Sequence, residues 1–455
     1  MSASTPALSS ANRALMLTAG FVAWMFAGLE NGLFVLIHRQ MMLELLGPTG
    51  SSEQLITQWF AWNQAAFMGG AAVGGWCFGW LGDRTGRTRA LGWSVICYSL
   101  LTLAGWWITD PVLMWVARFL ACLGFGGTWP NAVALVAEAY PSASRPFLAG
   151  LLGTAANFGF VLMGFIGYWW PVTDVSWRWT LIIGGLPLIP GILILVCVPE
   201  SIRWLAARQQ VSSDLKNKGP SPFRELFRPP LLSRTLVGIM LGSIPVIGTA
   251  ANANWVVPWT DQVAAQRQKA EQSVSATTES LSAGATAKAP SKSTTGKTPR
   301  DKAWTMVTRS SGAIIGSLLG GIIASIVGRR LSYFLISLAT FAVSTWLFTQ
   351  LSPGQPGFSV FVFLLGMFGV TYFGWLPLFL PELFPTRVRA TGSGISFNSG
   401  RIAAAIVVIF VGLRMSSFQG DYSQIGFWTG LIYVVGMFVI WLAPSTPAEK
   451  LEESQ

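Results

Sequence analysis

The chain has 455 residues, of which 52% are hydrophobic and only 11% charged, against roughly 25% charged in a soluble domain. That balance argues against an ordinary soluble enzyme, and the net charge of +11 points to nucleic acid only if its placement is ignored. The single His38, four scattered cysteines (Cys77, Cys97, Cys122, Cys197) and the lack of a phosphate-binding glycine loop leave no metal site, disulfide framework or ATP hydrolysis to expect.

Twelve apolar segments reach the roughly 20 residues that cross a bilayer. They are 15–37, 57–81, 90–109, 111–137, 146–170, 178–199, 233–257, 303–327, 331–351, 357–381, 390–413 and 424–443. Strict alternation is absent, so they read as helices and not barrel strands. The first is too long for a signal-peptide core and has no small-residue cleavage site, so it is expected to be retained. Its only formal charge is Glu30, beside Asn31. The second span carries Asn63 and Gln64 and runs into "GWLGDRTGR" (Gly79–Arg87). The fourth opens toward "RFLACLGFGGTWP" (Arg118–Pro130) and is followed by "EAYPSASR" (Glu138–Arg145). Asn157 lies in the fifth, and the sixth ends in "VPESIRWL" (Val198–Leu205). The seventh carries Asn254 in "GTAANANWVVPW". Residues 259–302 are low in complexity and are expected to form a disordered loop. Arg309 lies in the eighth span, which ends in "GIIASIVGR" (Gly321–Arg329). Tyr372 and Trp375 fall in the tenth, "ELFPTRVR" (Glu382–Arg389) follows it, and Asn398 and Arg401 fall in the eleventh.

Of the 30 Lys and Arg, 17 lie in the two tails or in loops on their side, and three (Arg39, Arg178, Arg414) in short loops opposite. This bias places both termini in the cytoplasm of a cell-membrane protein. Two motifs recur: Glu-x-x-Pro-x-x-x-Arg at 138 and 382, and the segment ending Gly-Arg at 87 and 329, offset by 244 and 242 residues. The expected organisation is a tail (1–14), a six-helix half (15–200), a basic cytoplasmic linker (201–232), a second half (233–443, with 259–302 as an extracytoplasmic loop) and a tail (444–455). Halves of this kind place a substrate site between them near the membrane midplane. The fold class is thus an all-α membrane protein of two pseudo-symmetric bundles.

"GWLGDRTGRTRAL" resembles the loop between helices two and three of the major facilitator superfamily, with Gly79, Asp83, Arg84, Gly86 and Arg87 in place. Thr88 stands where a base is usual, and the second copy has Ser325 at the Asp position. "RFLACLGFGGTWP" resembles the family's helix-four motif. "VPESIRWL" and "PELFPTRVRATGSGISFNSGRIAAA" resemble segments of its sugar porters and aromatic-acid symporters. The resemblance implies alternating access. It also implies a cytoplasmic gate built from Gly79, Asp83, Arg84, Gly86, Arg87, Glu138 and Arg145, with Glu382 and Arg389 in the second half.

Glu30 lies seven residues before the expected end of its span, and Arg118 seven residues after the start of its own. At 1.5 Å per residue both sit about 10 Å below one surface. The resemblance implies that they pair and couple transport to protons, although aromatic-acid symporters often carry two Asp where this chain has Glu30 and Asn31. Arg401 and Arg309 have no obvious acidic partner. A cavity-facing guanidinium binds carboxylate, so an organic anion is expected. Asn63, Gln64, Asn157, Asn254 and Asn398 are candidate lining residues, and Tyr372 and Trp375 candidate ring contacts. Helix seven lacks the Gln-Gln pair typical of sugar porters. The expectation is a monomeric proton symporter for a small organic anion, with no cofactor, metal or nucleic acid. Its partners are substrate, protons and the bilayer. A sugar or polyol porter, a drug:proton antiporter and a transport-dead sensor on this fold remain open.

Overall fold

The computed structural model describes residues 9–50, 52–140, 145–173, 176–202, 204–205, 222–282, 298–385, 388–414 and 417–444. Regular structure in them is helical, apart from one isolated bridge between Thr173 and Ser176. In the first half the long helices are α1 (Ser10–Gly50), α2 (Glu53–Thr85), α3 (Arg87–Ala104), α4 (Pro111–Ala139), α5 (Arg145–Trp169) and α6 (Trp179–Gly185 and Leu188–Cys197). In the second they are α7 (Leu231–Ala251, then Val256–Ser282), α8 (Thr298–Val327), α9 (Arg329–Gln350), α10 (Phe358–Phe379), α11 (Arg389–Leu413) and α12 (Tyr422–Gly430 and Ile432–Val439).

Local chemistry sets several boundaries. Asp110 caps α4, accepting from Leu113 N at 2.8 Å, with Pro111 in the first turn where its missing N–H costs nothing. Gly86 (φ 116°) separates α2 from α3, and Gly328 (φ 91°) separates α8 from α9. Both take backbone angles that side chains disfavour, and they lie 242 residues apart in the two copies of one motif.

Eleven helical segments of the described residues are long and apolar enough to cross a membrane. The expected span 57–81 is α2, which is long enough but less apolar than the rest. Two expectations are corrected. Helix α1 runs well past Ile37 to a break at Gly47 (φ 68°), because His38, Arg39 and Gln40 are buried and bonded instead of facing water. The stretch 259–302 is helical over 259–282 and 298–302, so the hydrophilic composition there marks helix extensions. Residues 283–297 lie outside the described residues, as do both tails beyond 9–444 and linker residues 206–221.

The same helix pairs build each half: α1 on α5, α2 on α4 and α3 on α4, then α7 on α11, α8 on α10 and α9 on α10. The halves meet where α2 packs on α11 and α5 on α8, pairs that exchange under the repeat. Glycine lets the principal pairs touch backbone to backbone. A Cβ on Gly126 would stand 2.1 Å from Ala71 O, and one on Gly316 would stand 1.9 Å from Met367 O. Large apolar side chains point outward, among them Ile326, Val196, Trp107, Phe438 and Trp169. Polar groups such as Glu30, Arg118 and Lys302 are buried. That arrangement suits a lipid surround.

Gly126→Leu is expected to force α2 and α4 apart, at about 1–3 kcal/mol or more. The purified variant should unfold at a lower temperature than the parent. Gly79→Ala should leave the midpoint in place, since a Cβ there meets nothing within 4 Å.

Candidate functional site

Glu30, Phe34 and His38 recur every four residues on α1 and so share one face. Arg118 stands two turns into α4. The fold brings these elements together with both charges fully buried. Arg118 Nη1 pairs with Glu30 Oε1, and Nη2 donates to Asn31 Oδ1 at 2.9 Å. Thr102 Oγ1 on α3 donates to the same Glu30 oxygen at 3.1 Å. The guanidinium carbon lies 4.0 Å from the Phe34 ring centre and 5.3 Å from that of Phe67. Glu30 Oε2 is buried with no hydrogen-bond partner among the described residues. A proton can add there without displacing an existing donor.

Beside the pair, Arg118, Asn31, Phe34, His38, Phe60, Asn63 and Gln64 line a cavity of about 10 Å³, room for one water. Asn63 Nδ2 donates to Trp59 O at 3.0 Å, while Asn63 Oδ1 and Gln64 Oε1 are buried without partners among the described residues. Two of the expected lining residues are therefore brought to the Arg118 side.

Of the other expected residues, Arg309 with Asn254, Arg401 and Asn398 lie along the inter-half surface. Arg309 Nη1 donates to Asn254 Oδ1 at 2.6 Å, and its guanidinium lies 5.2 Å from the Phe160 ring of the first half. Arg401 Nη1 donates across the halves to Ala71 O at 3.0 Å. Neither arginine has an acidic partner among the described residues. Asn398 lies against Gly75 of α2, and half-buried Asn157 bonds its own helix at Gly153 O, 3.3 Å. Tyr372 and Trp375 do not face this surface. They pack on Tyr333, with ring centres 5.0 and 4.7 Å away, and bond Ser337 and Ser332 of α9. They belong to the core of the second half, a face that sequence alone does not distinguish.

At the end of the molecule that carries α1's start, Asp83 pairs with Arg87, and Arg87 Nε lies 3.6 Å from Glu138 Oε1. Glu200 accepts from Thr88 N at 3.1 Å, Ser201 binds Glu138, and Trp204 Nε1 donates to Asp83 O at 2.8 Å. Gly86 fits because a Cβ would strike Glu200 Oε2 at 2.0 Å. Arg84 covers the Trp80 ring at 4.2 Å. In the second half Arg329 holds Glu382 by two bonds, 2.8 and 3.2 Å. Glu138 and Glu382 thus meet the arginines that close the Gly-Arg motif, Arg87 and Arg329. The side chains of Arg145 and Arg389 lie outside the described residues. All of these contacts stay within one half.

The opposite end carries a cluster that the sequence reading missed. Lys302 Nζ donates to Asp261 Oδ2 at 3.0 Å and to Gln40 Oε1 at 2.5 Å, and Gln40 Nε2 donates to Asp261 at 3.3 Å. Lys302 is 1% exposed, so α1 of one half is locked to α7 and α8 of the other by a desolvated ion pair. Arg39 holds Glu53 by two 2.6 Å bonds, and Gln262 Nε2 donates to Gly420 O at 2.9 Å. Phe60 packs on Trp255 beneath, ring centres 5.1 Å apart. The one available signal was a lysine and an aspartate flanking what read as a loop.

The model of the Major Facilitator Superfamily matches residues 15–266 and 272–455. The chain belongs to that superfamily. It is therefore a multi-pass membrane transporter and not an enzyme. A probable 4-methylmuconolactone transporter of Cupriavidus pinatubonensis is 27% identical over 84% of this chain and 80% of its own. A cis,cis-muconate transport protein of Acinetobacter baylyi is 26% identical over 85% and 84%. The inward open conformation of the xylose transporter XylE from E. coli aligns with TM-score 0.69 over 97% of this transporter and 99% of that chain, at 16% identity, a likeness of fold alone.

Proposed function

We propose that this transporter carries a small organic anion, a carboxylate or aromatic acid, into the cell together with a proton. The end holding Asp83 and Arg329 faces the cytoplasm with both termini, and the Gln40–Lys302–Asp261 end faces outward. The buried Glu30–Arg118 pair, with Glu30 Oε2 unpartnered, is the observation that carries the reading. Ionised Glu30 holds Arg118. A proton from outside neutralises Glu30, weakens its hold on the guanidinium and frees Arg118 to meet the anion or rearrange. Arg309 and Arg401 face the inter-half surface without carboxylate partners among the described residues, and two relatives are named for 4-methylmuconolactone and cis,cis-muconate. The outer latch opens to admit substrate, and the halves then rock about the site. Because the described bonds at the inner end lie within each half, they keep each bundle a rigid body during that movement.

The test is uptake into proteoliposomes from a panel of labelled benzoate, 4-hydroxybenzoate, cis,cis-muconate and xylose, with and without an inward proton gradient. Gradient-dependent accumulation of a carboxylate is expected. Uptake of xylose alone would overturn the anion reading.

The latch makes its own prediction. Gln40→Ala removes a bond to a charged group, about 1.5–3 kcal/mol, and so shifts the closed state toward outward-open at least tenfold. In a background without the four native cysteines, Met41→Cys should then react with an impermeant maleimide about ten times faster. An unchanged rate would show that Gln40 does not hold the outer end shut.

A further inference from the structure

Resting on that reading, we propose that His38 relays the proton from the outer aqueous phase to Glu30. It is the only histidine in 455 residues, and the fold places it between the outer latch and the ion pair. Its successors Arg39 and Gln40 belong to the bonds that seal the outer end. Two turns back along the same face of α1 stands Glu30, about 12 Å away along the axis. His38 and Arg118 line one cavity with Asn63 and Gln64, whose unpartnered oxygens can hold a water.

The geometry also assigns the ring nitrogens. Nε2 lies 2.9 Å from Ile56 O. A carbonyl only accepts, so Nε2 carries a hydrogen and Nδ1 is the nitrogen that takes up and releases a proton. The ring is held edge-on to Phe60, centres 5.0 Å apart. The charged groups that act on it or share its cavity are Arg39 on its own helix, Arg118 on α4, Asp261 on α7 and Lys302 on α8, while Glu53 on α2 and Tyr422 on α12 stand against Arg39. The charges among them are already paired: Arg39 with Glu53, Lys302 with Asp261 and Arg118 with Glu30. When the latch opens, Nδ1 takes a proton from outside water. Water that enters with the opening extends the cavity along Asn63 and Gln64 toward Arg118, and the proton passes along it to the Glu30 carboxylate paired there, which becomes neutral, and the ring returns to its starting form.

The experiment compares wild type, His38→Gln and His38→Phe in proteoliposomes with the four-compound panel. Gln keeps a donor for Ile56 O but cannot carry a proton, and Phe keeps only the ring shape. For both variants, gradient-driven uptake should fall about tenfold or more, while counterflow exchange stays within a few-fold of wild type. The rise in wild-type rate on acidifying the outside from about pH 7.5 to 5.5 should flatten. Wild-type rate and pH profile in His38→Gln would overturn the relay, as would equal losses of exchange and coupled uptake, which mark a structural residue. If wild type itself moves carboxylate without any dependence on the gradient, the underlying symport reading fails, and the relay with it.

Discussion

Glu30→Gln is expected to abolish accumulation of the carboxylate while leaving exchange intact. The amide has the size of the protonated acid and can occupy the same buried place beside Arg118 and Thr102. It cannot lose a proton, so the step that returns the empty carrier with an ionised acid is closed. Exchange of labelled for unlabelled substrate needs no net proton movement and should persist within a few-fold. The contrast is large. With one proton per substrate, two pH units sustain a gradient of about 100-fold, since each unit is worth about 1.4 kcal/mol. Glu30→Gln should bring that ratio to about 1. Measuring the internal to external ratio at steady state checks it. A variant that still concentrates substrate would remove Glu30 from the coupling.

Arg118→Met is expected to be the most damaging single change to the folded protein. Met is apolar and of similar reach, so the loss lies in what it leaves behind. Glu30 is 0% exposed and Arg118 is its one cationic partner among the described residues. Removing one member of a buried pair costs about 3–5 kcal/mol, because the remaining charge stays desolvated. Asn31 Oδ1 loses its donor as well. The expected result is a sharp drop in monodisperse protein and in the thermal midpoint. Glu30→Gln combined with Arg118→Met should recover much of the loss, because no unpaired charge is then buried. A single variant as stable as wild type would mean that Glu30 takes up a proton or meets water once Arg118 is gone. Transport should be absent from both, which separates stability from function.

Much of the fold is legible in the sequence because the bilayer makes polarity visible. A charge inside an apolar run is expensive, so Glu30 and Arg118 stand out, although the count that set them at one depth took Ile37 as the end of a helix that continues to Gly47. The repeat is legible for a similar reason: Gly86 and Gly328 need the same region of backbone angle, and the basic residue after each is held by an acid two helices' worth of chain away. The structure then shows which acid. Arg87 meets Glu138, and Arg329 meets Glu382. Charged motifs alone did not reveal this, since each motif also carries an arginine of its own. Other features stay hidden wherever a polar side chain is satisfied by a distant element. His38, Arg39 and Gln40 end the apolar run on paper, yet α1 continues through them because Ile56, Glu53, Asp261 and Lys302 supply their partners. The hydrophilic ends of α7 and α8 read as a loop for the same reason. Tyr372 and Trp375 show the converse. Aromatic rings near mid-membrane suit a ligand or a core equally well, and only the arrangement of α9 and α10 decides.

The most direct test of proton-coupled anion entry through the Glu30–Arg118 pair is to watch the proton itself. Proteoliposomes would hold a trapped pH indicator, with equal pH on both sides, and receive an inward gradient of the carboxylate that wild type accumulates. The account predicts that the lumen acidifies as substrate enters wild type, and that substrate addition leaves lumenal pH unchanged with Glu30→Gln. Substrate entering wild type with no change in lumenal pH would contradict it.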